Sequence, residues 1–537
     1  MMAPRTSSNL ANIQTRQNRL QTFVVTADQM SQIEARVFDA GMPVAALMEK
    51  VAGLIAARIQ ALYPLNRSPK VGVLVGPGHN GGDALVVARE LHFKGYEVIC
   101  YQPFTKLKDL TAAHANYAAS LGISTSEQIE ALAECDLIMD GLFGFGLTRS
   151  LEGGIADAVN SINQRNQPVV SIDIPSGLHT DTGEILGTAI QATHTLCLGL
   201  WKQAFLQEQG LNYIGAAELI DFGLPLADIT AVLGDPAKLC RITDQTAIAA
   251  LPLPRPVTTH KYKQGHLLLV CGSRQYLGAA VLAGLAARAS GVGMLSIAIP
   301  KSLKTVMIGQ LPDALILGCP ENEQGAIADL PKDLNWQKYD AIACGCGLTP
   351  HARSVVEQVL NSDKLLLLDA DGLNSLAELG TIPTLQARTA PTILTPHTGE
   401  FKRLFPGVNP MGDRIAAVQQ AAQASGAIVL LKGARTAIAN AQGQVWLNPD
   451  STPALARGGS GDVLTGLMAG LLAQGIQQSI PLERVVYSAA WWHSQAGIKA
   501  AEARSVLGVD ASTLIQYLVP ALQDHLLKDR ELEDRES

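Results

Sequence analysis

Charge is scarce in this chain, and the little there is leans acidic. Of 537 residues only 17% are Asp, Glu, Lys or Arg, and the formal net charge is -7. A nucleic-acid backbone or an anionic membrane surface as principal partner needs clustered Lys and Arg, so both classes are set aside. Long uncharged apolar runs are also missing, and none reaches the roughly 20 residues of a membrane span. Met1 to Gln21 is polar with scattered Arg, so a secretory signal is not expected. The eight cysteines, at 100, 135, 197, 240, 271, 319, 344 and 346, form no CxxC pair of metal-ligand spacing. They read as reduced core thiols, and the chain as cytoplasmic.

What is abundant is small and apolar, with 47% hydrophobic residues and 49 glycines. The length exceeds what one core organises, so two α/β enzymes joined end to end are expected. Helical periodicity begins near Thr26, with Met30, Ile33 and Val37 on one face, and a second helix covers Val44 to Leu62. Val71 to Val75 is an all-apolar strand, broken by Gly76-Pro-Gly-His-Asn-Gly-Gly-Asp83 before a helical run to Phe93. The same beat recurs at Asp136 to Asp140 and at Pro168 to Asp173, which predicts a parallel sheet covered by helices on both faces. Gly223-Leu-Pro225 and Pro252-Leu-Pro-Arg-Pro256 interrupt the rhythm and bracket a domain boundary.

A second series then follows. It has strands at Leu267 to Val270, Leu295 to Ile299, Ala341 to Cys344, Leu365 to Asp369, Ile393 to Thr395 and Ile428 to Leu431, and a helix from Gly278 to Ala289. Ala437 to Asn440 and Val445 to Asn448 read as a β-hairpin, and Lys528 to Ser537 as a frayed helix end.

Ligands of open parallel sheets sit beyond the carboxyl ends of the strands. Three segments of the first half put polar groups there: Gly76 to Asp83, Asp140 to Ser150 and Asp173 to Gly177. The glycines let backbone N–H groups approach a diphosphate, and Asn80 brings an amide oxygen suited to a hard cation. Asp140 and Asp173, taken singly, also fit helix caps or turns. Gly76 to Asp83, Asp140-Gly-Leu-Phe-Gly-Phe-Gly146 and Asp173-Ile-Pro-Ser-Gly-Leu178, with Asp181-Thr-Gly183, together resemble the YjeF N-terminal domain family of NAD(P)H-hydrate epimerases.

The resemblance implies that His79, Asn80, Gly81, Gly82 and Asp83, the loop Gly144, Phe145, Gly146, Leu147, Thr148, Arg149 and Ser150, and Asp173 contact the hydrated nicotinamide nucleotide. It also implies that Asn80, Asp140 and Ser176 hold a potassium ion (K+), with Asp173 as the acid/base group. Lys50, His79 and Ala84 depart from the family pattern, which usually has Asn, Asn and Gly there.

The second half places small or polar residues after each strand: Gly265 to Ser273, Asp369-Ala-Asp-Gly-Leu-Asn374, Thr395-Pro-His-Thr-Gly-Glu400, Leu431-Lys-Gly-Ala-Arg-Thr436 and Gly458-Gly-Ser-Gly-Asp462. A glycine-rich turn feeding the apolar run Val463 to Gly475 presents free N–H groups and a dipole to an anion, with Asp462 beside it as a base. Strand-exit placement of His397 marks a ligand-facing residue rather than a core histidine. These segments resemble the YjeF C-terminal family, ribokinase-like ADP- or ATP-dependent NAD(P)H-hydrate dehydratases. The resemblance implies that Ala279, Gly347 and His397 line the hydrated-nucleotide site, that Lys432, Gly433, Ala434, Arg435, Thr436 and Gly461 bind the adenine nucleotide, and that Asp462 contacts substrate as catalytic base. Gly345-Cys-Gly-Leu-Thr349 replaces a GPGLG pattern, Thr398 a common Pro and Ser460 a common Thr.

The expected architecture is therefore α/β, with a Rossmann-like three-layer parallel-sheet domain over residues 1–235 and a ribokinase-like α/β domain over 245–537. Hydrated NADH carries a hydroxyl beside the ring nitrogen, and phosphorylation turns that hydroxyl into a leaving group. Asp462 would take its proton and backbone N–H groups of Gly459 to Gly461 would stabilise the developing charge, with Mg2+ on the phosphates of ADP or ATP. Epimerase and dehydratase then form one repair activity on small-molecule substrates, with neither nucleic acid nor membrane as partner, and a homo-oligomer is expected. The rival reading is a ribokinase-type vitamin kinase with a nucleotide-binding or scaffold first domain, which the glycine-rich turn fits equally.

Overall fold

The structure, a computed structural model, describes the backbone of residues 16–536 and side chains to residue 528. Most of the polar stretch 1–21 and the side chains of the charged tail lie outside them. Two compact units are present, Arg19–Lys238 and one that begins at Leu239.

The first unit holds a seven-stranded sheet made of β1 (Lys70–Val75), β2 (Glu97–Tyr101), β3 (Ser124–Ser126), β4 (Leu137–Gly141), β5 (Val169–Ile172), β6 (His194–Leu198) and β7 (Ala216–Ile220). The spatial order is β3-β2-β1-β4-β5-β6-β7, with every pairing parallel. Strand order reverses between β1 and β4, which opens a crevice at their carboxyl ends. Helix α1 (Ala27–Asp39) starts at a Thr26 capping box with Gln29 and buries Met30 and Ile33. Helix α2 (Val44–Leu62) buries Leu47, Val51, Ile55 and Ile59 on one stripe. Helix α3 runs from His79 to Phe93, so the break after β1 is only Gly76-Pro77-Gly78. The sequence reading of a loop through Asp83 gave weight to Gly81 and Gly82. Packing overrides that, because a Cβ on Gly82 would meet Met48 Cε at 2.8 Å where α3 lies close to α2.

The second unit is built on ten strands: β8 (Leu239–Arg241), β9 (His266–Val270), β10 (Met294–Pro300), β11 (Leu315–Cys319), β12 (Ala341–Cys344), β13 (Leu365–Leu368), β14 (Thr392–Leu394), β15 (Ile428–Leu431), β16 (Thr436–Ala439) and β17 (Val445–Asn448). Their order is β8-β17-β16-β15-β14-β13-β12-β9-β10-β11. Strands β9 to β15 are mutually parallel, and β15, β16 and β17 form an antiparallel meander that contains the expected hairpin. Here the order reverses between β9 and β12, which gives a second crevice.

Several strands escaped the sequence reading, β2, β3, β6, β8 and β11 among them. β3 and β11 are partly exposed sheet edges with weak apolar runs, and β8 falls in the gap between the two expected domains. It pairs parallel with β17, Leu239 opposite Val445 and Arg241 opposite Leu447, and so belongs to the second unit. Helix α4 (Leu277–Ala289) packs on α6 (Ser460–Gln477), and α5 (Thr398–Leu404) lies between them in sequence. Close approach is possible because position 466 is glycine: a Cβ there would sit 2.0 Å from the Ala283 carbonyl. The C-terminal helix α7 (Ala511–Glu536) carries the backbone through the charged tail that was expected to fray.

All eight cysteines are free thiols, seven of them buried and Cys240 half-buried. No single helix among the described residues is long and apolar enough to cross a membrane.

Candidate functional site

Each crevice holds a cavity. The first, of about 580 Å³, is lined by Pro77 and Gly78 after β1, His79, Asn80 and Asp83 of α3, Leu142 to Leu147 and Arg149 after β4, and Asp173 after β5. The three polar segments expected to converge do so. Convergence depends on Gly76, where a Cβ would fall 1.7 Å from the Leu142 carbonyl. Gly81 and Gly82 are buried and stay out of the lining, and Thr148 and Ser150 are exposed beyond it. Met30, Phe38, Leu47, Met48 and Val51 supply an apolar wall from α1 and α2.

Asp140 stands at the strand end as expected, the penultimate residue of β4, but it is fully buried and not part of the cavity lining. Its carboxylate accepts from Ser176 Oγ at 2.6 Å, Ser171 Oγ at 2.8 Å, Ser176 N at 2.9 Å and Leu142 N at 3.3 Å. Burial pushes its pKa up, and these donors oppose that by favouring the anion. Ser176 Oγ also accepts from Phe143 N at 2.9 Å, so Asp140 and Ser176 tie the turn after β5 to the turn after β4. Asn80 Nδ2 is buried without a hydrogen-bond partner. A Cβ on Gly144 would stand 3.2 Å from both Asn80 Oδ1 and Asp173 Oδ2, so the amide oxygen and the carboxylate share one small space. An amide that turns its oxygen inward, beside hydroxyl and carboxylate oxygens, is an all-oxygen donor set that fits a hard cation.

Asp173 is 3% exposed and has φ 71°, in the left-handed region that a non-glycine residue enters at a cost. Its Oδ1 takes a 2.5 Å hydrogen bond from Lys202 Nζ, and its Oδ2 accepts from Phe145 N at 3.0 Å. Lys202 is fully buried, donates also to the Leu198 carbonyl at 2.6 Å, and lies 5.8 Å from the Phe145 ring. Sequence reasoning missed this lysine and missed Glu34 of α1, which lines the same cavity. Burial, with Asp173 nearby and Lys202 opposing, lifts the Glu34 pKa to about 7. Asp83 is likewise raised well above its usual range by burial and by Asp173 and Glu34. His79 is lowered by burial and by Lys108.

The second cavity, of about 590 Å³, is lined by Gln275, Tyr276 and Ala279 around the start of α4, Gly347 to His351 after β12 except Leu348, Asp371, Gln324 and Asp462. Gly347 has φ 66°, and a Cβ there would meet the Tyr276 carbonyl at 2.7 Å. Asp462 sits in the first turn of α6, whose N-cap Gly459 has φ 91°. The first helical bond runs from Val463 N to the Gly459 carbonyl, so Gly461 N and Asp462 N have no acceptor within the helix. Ser460 N, counted with them from sequence, is instead donated to the Arg457 carbonyl at 3.3 Å. His493 Nε2 lies 3.0 Å from the Ser460 carbonyl and anchors the turn.

Burial raises the Asp462 pKa, the Cys346 thiol opposes this by donating to it, and Asp369 adds to it. Cys346, read from sequence as a core thiol, thus touches the expected base. Thr349 has φ 71°, and its buried Oγ1 has no hydrogen-bond partner.

The remaining expected residues sit around this cavity rather than in its wall. Lys432 Nζ is 2.7 Å from Asp369 Oδ1, whose Oδ2 accepts from Thr465 at 2.7 Å. A Cβ on Gly461 would find Lys432 Nζ at 3.6 Å and Asp369 Oδ2 at 3.7 Å, so these groups meet at the head of α6. Gly433 and Ala434 are exposed, and Arg435 and Thr436 half-buried. His397 is neither core nor lining: it caps α5, its Nδ1 accepting from Gly399 N at 2.9 Å, with the side chain 57% exposed. Among the described residues no group of three or more His, Cys, Asp or Glu is placed to hold a metal ion.

A family model described as NAD(P)H-hydrate dehydratase matches residues 267–520, and one described as YjeF-related protein N-terminus matches residues 44–204. The bifunctional NAD(P)H-hydrate repair enzyme Nnr of Synechocystis sp. is 54% identical over 503 residues, 94% of this chain and 95% of that protein. The protein of the same name from Thermosynechococcus vestitus is 54% identical over 502 residues, 93% and 97% respectively. Among solved structures, the ADP/ATP-dependent NAD(P)H-hydrate dehydratase from Bacillus subtilis co-crystallized with ATP/Mg2+ is 31% identical, covering 53% of this chain and 97% of that one at a TM-score of 0.46. With relatives of such identity matching it nearly end to end, the chain belongs to the family of bifunctional NAD(P)H-hydrate repair enzymes.

Proposed function

We propose that the first unit exchanges the R and S epimers of hydrated NAD(P)H and that the second dehydrates the S epimer, consuming ADP or ATP through a phosphorylated intermediate. The observation that carries this reading is the placement of Asp462. It is a half-buried carboxylate of raised pKa in the wall of the second cavity, beside free N–H groups at the head of α6 and opposite Ala279 and Gly347. Asp462 takes the proton of the substrate hydroxyl, whose oxygen attacks the terminal phosphoryl group. Gly461 N–H, Asp462 N–H and the helix dipole stabilise the charge that develops. Electron push from the ring nitrogen then expels phosphate and restores the dihydropyridine.

Lys432, Gly433 to Thr436 and Gly461 hold the adenine nucleotide, with Lys432 exchanging its Asp369 contact for a phosphate. His397 and the nearby strand exits flank the bound hydrate. Mg2+ would be carried by the nucleotide's phosphates and would supply positive charge there, as suits an ion that is held by few carboxylates and keeps much of its water.

In the first unit, His79 to Asp83, Gly144 to Ser150 and Asp173 receive the hydrated nucleotide, its ring against the apolar wall of α1 and α2. Asn80, Asp140 and Ser176 would hold K+, which supplies positive charge for a substrate oxygen. Asp173, kept in place by Lys202, accepts the hydroxyl proton. Eight free thiols and pyridine-nucleotide substrates support a cytoplasmic location.

The test is recovery of reduced-nicotinamide absorbance from mixed hydrate epimers with ADP or ATP. Recovery beyond one epimer's share, with release of free phosphate, is expected. Asp462→Asn lowers dehydratase kcat by about 10²- to 10⁴-fold, and near-normal turnover in that variant, or a phosphorylated product that accumulates, refutes the scheme.

A further inference from the structure

Glu34 does not belong to any of the motifs that mark the first half. It projects from α1 into the cavity, half-buried, and makes no hydrogen bond or ion pair among the described residues. Other charged groups of the cavity are Asp83 and His79 on α3, Lys108, Arg149, Asp173 and Lys202. On its own helix, Arg36 is engaged with Asp228 at 3.0 Å. Lys202 is matched by Asp173 at 2.5 Å. Lys108 and Arg149 also line the cavity, but among the described residues neither is paired with Glu34 or Asp83. These remain two carboxyl groups near an existing anion with no ion pair of their own, and burial with that crowding favours retention of a proton.

Epimer exchange needs a base and an acid at once. The substrate carbon bears a hydroxyl and the ring nitrogen, so it is a cyclic hemiaminal. Removal of the hydroxyl proton forms the C=O bond as the C–N bond breaks. The released electron pair goes to the nitrogen, which must take a proton. When nitrogen closes on the opposite face of the aldehyde, both protons return to their donors, and nothing else is consumed.

We propose that Glu34 is the proton donor to the ring nitrogen in this exchange, while Asp173, held by Lys202, takes the hydroxyl proton. The inference rests on the epimerase reading given above. Two carboxyl groups in different settings, one fixed by three donors and one free of hydrogen bonds, suit a base and an acid acting together. The elevation of Glu34 to about 7 by burial and by Asp173 agrees with the acid role near neutral pH.

The experiment follows exchange of purified R or S hydrated NADH by the full-length protein without ADP or ATP, as a function of pH. Wild-type kcat falls as pH rises through about 7. Glu34→Gln lowers kcat by about 10²- to 10⁴-fold with little change in KM and removes that limb. Glu34→Asp keeps the limb at a reduced rate, and both variants unfold thermally like the wild type. A Glu34→Gln protein that exchanges epimers at the wild-type rate, or a limb that survives in it and disappears in Asp83→Asn, overturns the inference and leaves the epimerase reading standing. A wild-type protein that exchanges nothing removes the epimerase reading itself.

Discussion

Replacing Lys202 with methionine keeps the side-chain volume and removes one charge from a fully buried pair. In the native fold Lys202 Nζ stands 2.5 Å from Asp173 Oδ1 and 2.6 Å from the Leu198 carbonyl. Without it, Asp173 retains only the N–H groups of Phe145 at 3.0 Å and Leu198 at 3.4 Å. Stranding one member of such a pair costs about 3–5 kcal/mol, which raises the local opening constant by roughly two to three and a half orders of magnitude. Hydrogen exchange of the β5 and β6 amides in full-length protein, read by mass spectrometry, reports that change directly. Lys202→Met with Asp173→Asn removes both charges, and most of the lost stability returns.

The sign of the pH dependence follows from the lysine. Burial pulls its pKa down, Asp173 more than reverses this, and the net shift is upward. Its contribution is thus complete at neutral pH and is lost only as pH climbs past the ordinary lysine value through the raised one. If the single variant lies within about 1 kcal/mol of wild type, or the double variant is as unstable as the single, the pair does not hold the site.

Two further outcomes concern the second unit. Thr349→Gly relieves a β-branched residue at φ 71°, and after the entropy cost of glycine the unit gains about 1 kcal/mol in thermal or denaturant unfolding. The same change removes a lining side chain and loosens the cavity wall, which raises KM with kcat retained; an unchanged KM would show that this stretch of wall does not shape the binding site. His493 is buried neutral, with burial lowering its pKa to about 4. The folded state excludes its proton, so stability of this unit drops as pH falls from about 6.5 toward 4, and His493→Gln flattens that slope. A wild-type slope no steeper than the variant's in this window contradicts the assignment.

Much of the fold could be read from the chain because buried parallel strands are short, continuous and apolar, as Val71 to Val75 and Leu365 to Leu368 are. Edge strands such as Ser124–Ser126 and Leu239–Arg241 carry no such signature, since half their surroundings are solvent or helix ends. The glycine segments located both cavities for a similar reason: a close backbone approach admits one residue type, and that restriction is visible in sequence. Glu34 and Lys202 lie on an ordinary helix face and after an ordinary strand, and only tertiary packing brings them to Asp173. Asp140 was found by its motif and at its strand end, but its burial was not legible, because sequence shows the carboxylate and not the four donors around it. His397 illustrates the reverse case, an exposed strand-exit histidine whose ring serves first as a helix cap.

The short strand Leu239–Arg241 has a practical consequence for anyone who separates the two halves. A fragment begun at the proline-rich stretch near residue 252 would leave Val445 to Leu447 as a bare sheet border, with main-chain groups open to self-association. Poor solubility or lost turnover in such a fragment would then report an amputated strand and would be mistaken for dependence on the missing half. Cutting ahead of Leu239 avoids the artefact and costs the first half none of its own sheet.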